Sequence, residues 1–287
     1  MNVVLRAQLA DGGSLILKQA LPFVAKFPDI PAPIERSDVE CEFYRSVQGS
    51  KAAEKLPRLI GYIPEHHLLC FSDLGAAADF THLYQRETGQ SAPHKTLLGW
   101  LTQLHKTAIP DPSAFDNLEM RKLNHEHIFA LPFIRENGLE FSPAVLQARE
   151  SLLEPAVVAV ATALGERYLD TTRQVDSVLL HGDFYPGSWL GQPDDIAVID
   201  PEFCFVGPRE FDLGVYLAHG LMCGESVAQL EAALAAYELS FDHRLAWQFA
   251  GVEVVRRILG VAQLPLRATD HTKIEWLQTA RDWMLAS

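Results

Sequence analysis

His181-Gly182-Asp183-Phe184-Tyr185-Pro186-Gly187-Ser188 and, ten residues on, Val198-Ile199-Asp200-Pro201-Glu202 gather the chemically capable side chains of this sequence around one β-rich island. Val178-Leu179-Leu180 reads as a strand leading into the first segment. Residues 191–195 read as a turn, and Ile196-Ala197-Val198-Ile199 as a short buried strand ending at Asp200. Asp183 therefore follows one strand, and Asp200, seventeen residues later, closes the next. Ser188 lies five residues past Asp183, and Glu202 two past Asp200.

Working outward, residues 3–9 are β-rich, Asp11-Gly12-Gly13 is a turn signal, and residues 14–18 read as the return strand of a hairpin. Pro28, Pro31 and Pro33 predict an irregular loop. Residues 38–47 carry helical spacing, with Val39, Phe43 and Val47 on one face and Glu40 at its edge. Strands are predicted at 58–63 and 67–71, joined at Pro64-Glu65. Beyond Asp73 the pattern turns helical: 96–105, 143–168 with a break at Pro155, 226–239, 244–261 and 272–285. The order predicts an α+β chain with a small β-rich lobe, residues 1–73, and a larger, mainly helical lobe, residues 74–287.

Composition bounds the function. At 48% hydrophobic and 21% charged, the chain can bury a large core and is not disordered. With 24 Lys+Arg against 37 Asp+Glu, the net charge of −13 argues against a nucleic-acid partner. No run approaches the roughly 20 apolar residues that a membrane-spanning helix needs, and the N-terminus lacks a signal-peptide pattern. Cys41, Cys70, Cys204 and Cys223 show no Cys-x-x-Cys spacing, which fits a reduced, cytoplasmic setting.

Phosphoryl transfer needs little covalent help from a protein. It needs a carboxylate to orient or deprotonate the attacking hydroxyl, and oxygen ligands that hold magnesium on the phosphates. Protein kinases supply these with a His-Arg-Asp loop, a metal-binding Asn five residues later and a metal carboxylate on the following strand. This sequence has His-Gly-Asp with Ser188 at the Asn position.

The two segments, with Gly207-Pro208-Arg209-Glu210-Phe211-Asp212-Leu213-Gly214, resemble the aminoglycoside phosphotransferase and choline kinase superfamily. Within it they look most like the methylthioribose kinase branch, which also has Ser at that position and Asp-Pro-Glu-Phe after the strand. Lys18-Gln19-Ala20-Leu21-Pro22 is similar to that branch's lysine segment, and Arg256-Arg257-Ile258-Leu259-Gly260-Val261-Ala262-Gln263 to its tandem-arginine helix, with Gln263 where the branch has His. The resemblance implies a two-lobed protein-kinase-like fold. Asn2 to Arg6 already resembles the strand after the phosphate-covering loop, so by resemblance either the start of this sequence is placed too late or the small lobe lacks its first strand.

By resemblance, Asp183 would be the catalytic base, Asp200 and Glu202 magnesium carboxylates, and Ser188 a further metal candidate. Lys18 would meet the ATP phosphates, oriented by Glu40, which lies nearer the centre of the helix's inward face than Glu42. Residues 69–73, with Phe71 and Asp73, would form the hinge whose backbone meets adenine. Asp212 would brace the catalytic loop, and Arg256 and Arg257 would face the acceptor.

Plainer readings stand beside these. Lys18 alone is an exposed strand lysine, and adjacent arginines on a helix point about 100° apart. His125-Glu126-His127 is half a metal site with no third ligand at suggestive spacing. The expected function is ATP- and magnesium-dependent phosphorylation of a small-molecule hydroxyl, with a methylthioribose-like sugar as leading acceptor. Aminoglycosides, choline and homoserine are alternative acceptors, and a catalytically silent nucleotide- or metabolite-binding protein is the alternative class.

Overall fold

The computed structural model describes residues 2–24, 27–85, 92–172, 176–193 and 195–286. Val3–Gln8 (β1) and Ser14–Gln19 (β2) form the expected antiparallel hairpin. Where the prolines predicted an irregular loop, Phe23–Val24 (β3) and Phe27–Pro31 (β4) pair as a short antiparallel ribbon instead. A two-stranded ribbon outside the main sheet needs few ladder donors, so residues without an N–H are tolerated there. Arg36–Val47 (α1) follows, then Leu59–Ile63 (β5) and Leu68–Ser72 (β6). The small lobe is one antiparallel sheet in the order β1-β2-β6-β5. Helix α1 buries Phe43, Tyr44 and Val47, and the Tyr44 and Phe71 rings meet 4.8 Å apart under the sheet.

The larger lobe opens with His94–His105 (α2), Leu118–His125 (α3), Pro143–Arg149 (α4) and Pro155–Leu169 (α5). The break between α4 and α5 falls at Pro155, the first residue of α5, where a missing N–H costs nothing. Next come Ser177–Leu180 (β7), Trp189–Gln192 (β8), Asp195–Val198 (β9) and Phe205–Pro208 (β10). β8 and β9 form a hairpin with Gln192 opposite Asp195; of the turn expected at 191–195, Asp194 lies outside the described residues. β7 pairs with β10, so both ends of the site segment are clamped by one ladder.

Glu210–Met222 (α6), Val227–Leu234 (α7), His243–Leu259 (α8) and Asp270–Leu285 (α9) complete the lobe. Every residue of α6 is buried, and each large apolar side chain there stabilises by about 1.5–3 kcal/mol relative to exposure. α6 packs on α8 at Gly214, where a Cβ would stand 2.5 Å from Phe249 Cβ. Among the described residues, no helix is long and apolar enough to cross a membrane.

Candidate active site

The loop after β7 is held by its own sequence. Gly182 has φ +84°, and a Cβ there would lie 2.1 Å from the Phe203 carbonyl oxygen, so only glycine fits. Asp212, in the first turn of α6 and fully buried, accepts hydrogen bonds from the His181 and Gly182 N–H groups at 2.7 and 2.9 Å. His105 adds a third contact to this carboxylate at 3.3 Å. Burial lowers the basicity of His181, so its ring is neutral. Its Nε2 lies 2.9 Å from the Ile199 carbonyl and donates to it, which leaves Nδ1 to accept from the Asp183 N–H at 3.3 Å. The strand end carrying Asp200 and the loop carrying Asp183 are thereby tied through one imidazole.

Asp183 presents its carboxylate at the cleft, and its Oδ1 is met by Arg257 at 2.9 Å and Arg256 at 3.8 Å. Adjacent helical arginines should diverge, yet both converge here. Glu253 lies three and four residues before them on α8 and bonds both, at 3.1 Å to Arg256 and 2.6 Å to Arg257. Burial opposes the charge on Glu253, but the two guanidiniums win and hold its carboxyl well below the ordinary range. The Arg257 guanidinium also stacks over the Tyr185 ring at 5.0 Å. Behind Glu253, burial lowers His219 to about 4, so it too is neutral. His219 Nε2 donates to Glu253 at 3.2 Å, and Nδ1 accepts from the Tyr84 hydroxyl at 2.6 Å.

Across the cleft, Lys18 is buried in β2 with its ammonium 2.8 Å from Glu40 Oε1 and 2.7 Å from Asp200 Oδ1. Burial works against this charge, but Asp200 and Glu40 outweigh it and raise the Lys18 pKa well above its ordinary value. Burial likewise acts to raise the Asp200 carboxyl, while Lys18 prevails and holds it low. Asp200 has the left-handed backbone angle φ +63°, uncommon for a residue other than glycine, and its side chain is 48% exposed.

A cavity of about 240 Å³ opens beside Lys18, lined by Val4, Ile16, Tyr44, Phe71, Leu190 and Ile199. The Asp73 carboxylate is taken up locally, accepting from Ser14 at 2.7 Å and from the Gly75 N–H at 2.8 Å and pairing with Arg6. β6 lies between β2 and β5, so its backbone is used in both ladders and the first groups outside them belong to Asp73 and Leu74. A larger cavity of about 490 Å³, lined by Arg167, Asp176, Arg209 and Asp242 among others, lies apart from all of these groups.

Two side chains that the resemblance implies as metal ligands are turned elsewhere. Glu202 Oε2 accepts from Arg36 at 3.0 Å and Asn2 at 2.9 Å, and the buried Ser188 hydroxyl donates to the Asp183 carbonyl at 2.7 Å. No group of three or more His, Cys, Asp or Glu that could hold a metal ion occurs among the described residues. Magnesium, however, keeps several waters and is held by one or two carboxylates together with substrate phosphates. One half-exposed carboxylate on the cleft, Asp200, fits that demand.

A family model described as the phosphotransferase enzyme family matches residues 6–249. The chain belongs to the phosphotransferase enzyme family. Within that family it is similar to methylthioribose kinase 1 of Oryza sativa subsp. japonica, 28% identical over 228 residues, which is 74% of this chain and 51% of the rice protein. Methylthioribose kinase of Yersinia pseudotuberculosis serotype O:3 (strain YPIII) is 24% identical over 302 residues, 97% of this chain and 71% of that protein. The chain thus spans about half the length of the rice relative that it matches. In fold it is similar to a spectinomycin phosphotransferase solved with ADP and spectinomycin, at TM-score 0.54 and 13% identity over 99% of this chain and 89% of that one. A choline kinase from Streptococcus pneumoniae gives TM-score 0.55 and 12% identity over 99% and 90%. The fold is protein-kinase-like and two-lobed.

Arg36, Glu253, His219 and Asn2 were not singled out from the sequence. Glu253 had a signal there: an acid three and four residues before two arginines in a helical run. Arg36 and Asn2 had none, because their partner lies more than 160 residues away.

Proposed function

We propose that this chain is an ATP- and magnesium-dependent phosphotransferase acting on the hydroxyl of a small molecule, with a methylthioribose-like sugar as leading acceptor. The observation that carries the reading is Lys18, buried and bonded at once to Glu40 and Asp200 at the edge of a cavity, with His181 tying the strand end of Asp200 to the loop of Asp183. In this reading the adenine lies in the apolar cavity near Phe71, against the backbone of Asp73 and Leu74. Lys18 meets the nucleotide phosphates, and Glu40 fixes its direction. Asp200 would hold magnesium, which when bound neutralises charge developing on the phosphates. Asp183 Oδ2 accepts the proton of the acceptor hydroxyl while Arg257 keeps Oδ1 in place.

Arg256 and Arg257 are balanced by Asp183 and Glu253, so the net charge there repels no acceptor class, and the sugar reading rests on likeness to the methylthioribose kinases. Four free cysteines support a reducing, cytoplasmic setting.

The test is ADP release from Mg-ATP across methylthioribose, pentoses, choline, homoserine and aminoglycosides, run beside Asp183→Asn. The expected result is acceptor-dependent ADP with a neutral sugar, reduced by about 10²–10⁴ in the variant while nucleotide affinity is retained. Wild-type turnover by Asp183→Asn would remove Asp183 as the base. Nucleotide binding with a flat panel would favour a silent binder.

A further inference from the structure

Arg36, the first residue of α1, is buried at 1% exposure, and all three of its guanidinium nitrogens are engaged. Nε donates to Glu202 Oε2 at 3.0 Å, Nη2 to Asn2 Oδ1 at 2.8 Å, and Nη1 to the carbonyls of Leu21 and Pro33 at 2.9 and 2.6 Å. Asn2 Nδ2 donates to the same Glu202 oxygen at 2.9 Å. The Glu202 backbone is held as well, its carbonyl accepting from Asn117 Nδ2 at 3.1 Å. Glu202 is the carboxylate that compensates the buried Arg36 charge. Moving it to a metal would leave that cation buried and unpaired, an arrangement proteins avoid.

Arg36 and Glu40 are four residues apart on one face of α1. The helix therefore reaches the segment after β9 twice: directly through Arg36 and Glu202, and through Glu40, Lys18 and Asp200. We propose that Glu202 is a positioning residue and not a metal ligand, and that with Arg36 it fixes the rotation of α1 so that Glu40, Lys18 and Asp200 stay in contact. The proposal deepens the phosphotransferase reading and rests on it.

The test compares Glu202→Gln, Arg36→Met and the double variant with wild type. Amide hydrogen exchange over residues 36–47 is measured without nucleotide, and Mg²⁺ is titrated into ATP binding by calorimetry. Both single variants are expected to speed exchange across α1, the double no more than the larger single. The Mg²⁺ concentration for half-maximal ATP binding should shift by the same factor, within about twofold, in Glu202→Gln and Arg36→Met, because both act through α1. A rise of about tenfold or more in that concentration for Glu202→Gln alone, with α1 exchange unchanged, overturns the proposal and makes Glu202 a ligand. Should Arg36→Met not fold, Asn2→Ala loosens the same anchor more gently, and unchanged exchange there is equally decisive against it. A wild type that binds no nucleotide would remove the phosphotransferase reading, while the exchange result still decides the anchor.

Discussion

Glu40 shares one ammonium with Asp200, so a single buried cation faces two carboxylates. Burial pushes the Glu40 carboxyl from 4.5 up to about 7, with Lys18 pulling the other way. The folded state thus holds this proton more tightly than the unfolded chain. The stability gained is complete below about 4.5 and lost as pH rises through about 7. His219 has the opposite sense. Burial lowers it from 6.5 to about 4, so its contribution is present above 6.5 and lost as pH falls through about 4. Thermal unfolding of wild type, Glu40→Gln and His219→Gln between pH 4 and 8 separates the two. Wild type should lose ground to Glu40→Gln as pH rises through the first window, and to His219→Gln as pH falls through the second. Parallel curves for wild type and Glu40→Gln would mean that this carboxyl titrates as it does in water.

At the scale of elements, helices with a polar face were legible. The run predicted at 38–47 is observed as Arg36–Val47, and that at 272–285 as Asp270–Leu285. α6 was read only as a motif, because all its residues are buried and an apolar helix without a polar face has no 3.6-residue signal to read. The same burial makes its packing intolerant. Gly214→Ala would place a methyl 2.5 Å from Phe249 Cβ and should destabilise by about 1–3 kcal/mol. Gly99 in α2 is the control, with nothing within 4 Å of its Cβ position. Gly99→Ala should stabilise by about 0.5–1 kcal/mol, because only the helix-propensity gain remains. Chemical denaturation of the two variants measures both, and a shift of equal sign would contradict the packing argument.

For the molecule as a whole, the cleft is assembled from β2, α1, the end of β9, the loop after β7 and α8, so ligand affinity must appear in global stability. If Mg-ATP binds as proposed, a concentration near 100 times its dissociation constant should stabilise the fold by about 2.7 kcal/mol. At roughly 2–4 °C per kcal/mol for a chain of this size, the unfolding midpoint should rise by several degrees. The rise should be smaller for Asp200→Ala and for Lys18→Met. No shift with millimolar Mg-ATP would count against the cavity beside Lys18 as a nucleotide site.

The linear order of residues determined the family and the two-lobed fold and marked Lys18, Asp183 and Asp200 as candidates, because local motifs at fixed spacing carry that information without tertiary contacts. It also pointed to Glu40, through the face of an amphipathic helix. Only the tertiary structure decided what those groups touch. Asp183 is held by Arg257, which Glu253 orients; Asp200 bonds Lys18 from a left-handed backbone position; and Glu202 faces Arg36 across 166 residues of chain. Pairings of this kind are set by which surfaces the packed lobes bring together and by the cost of leaving a buried charge alone.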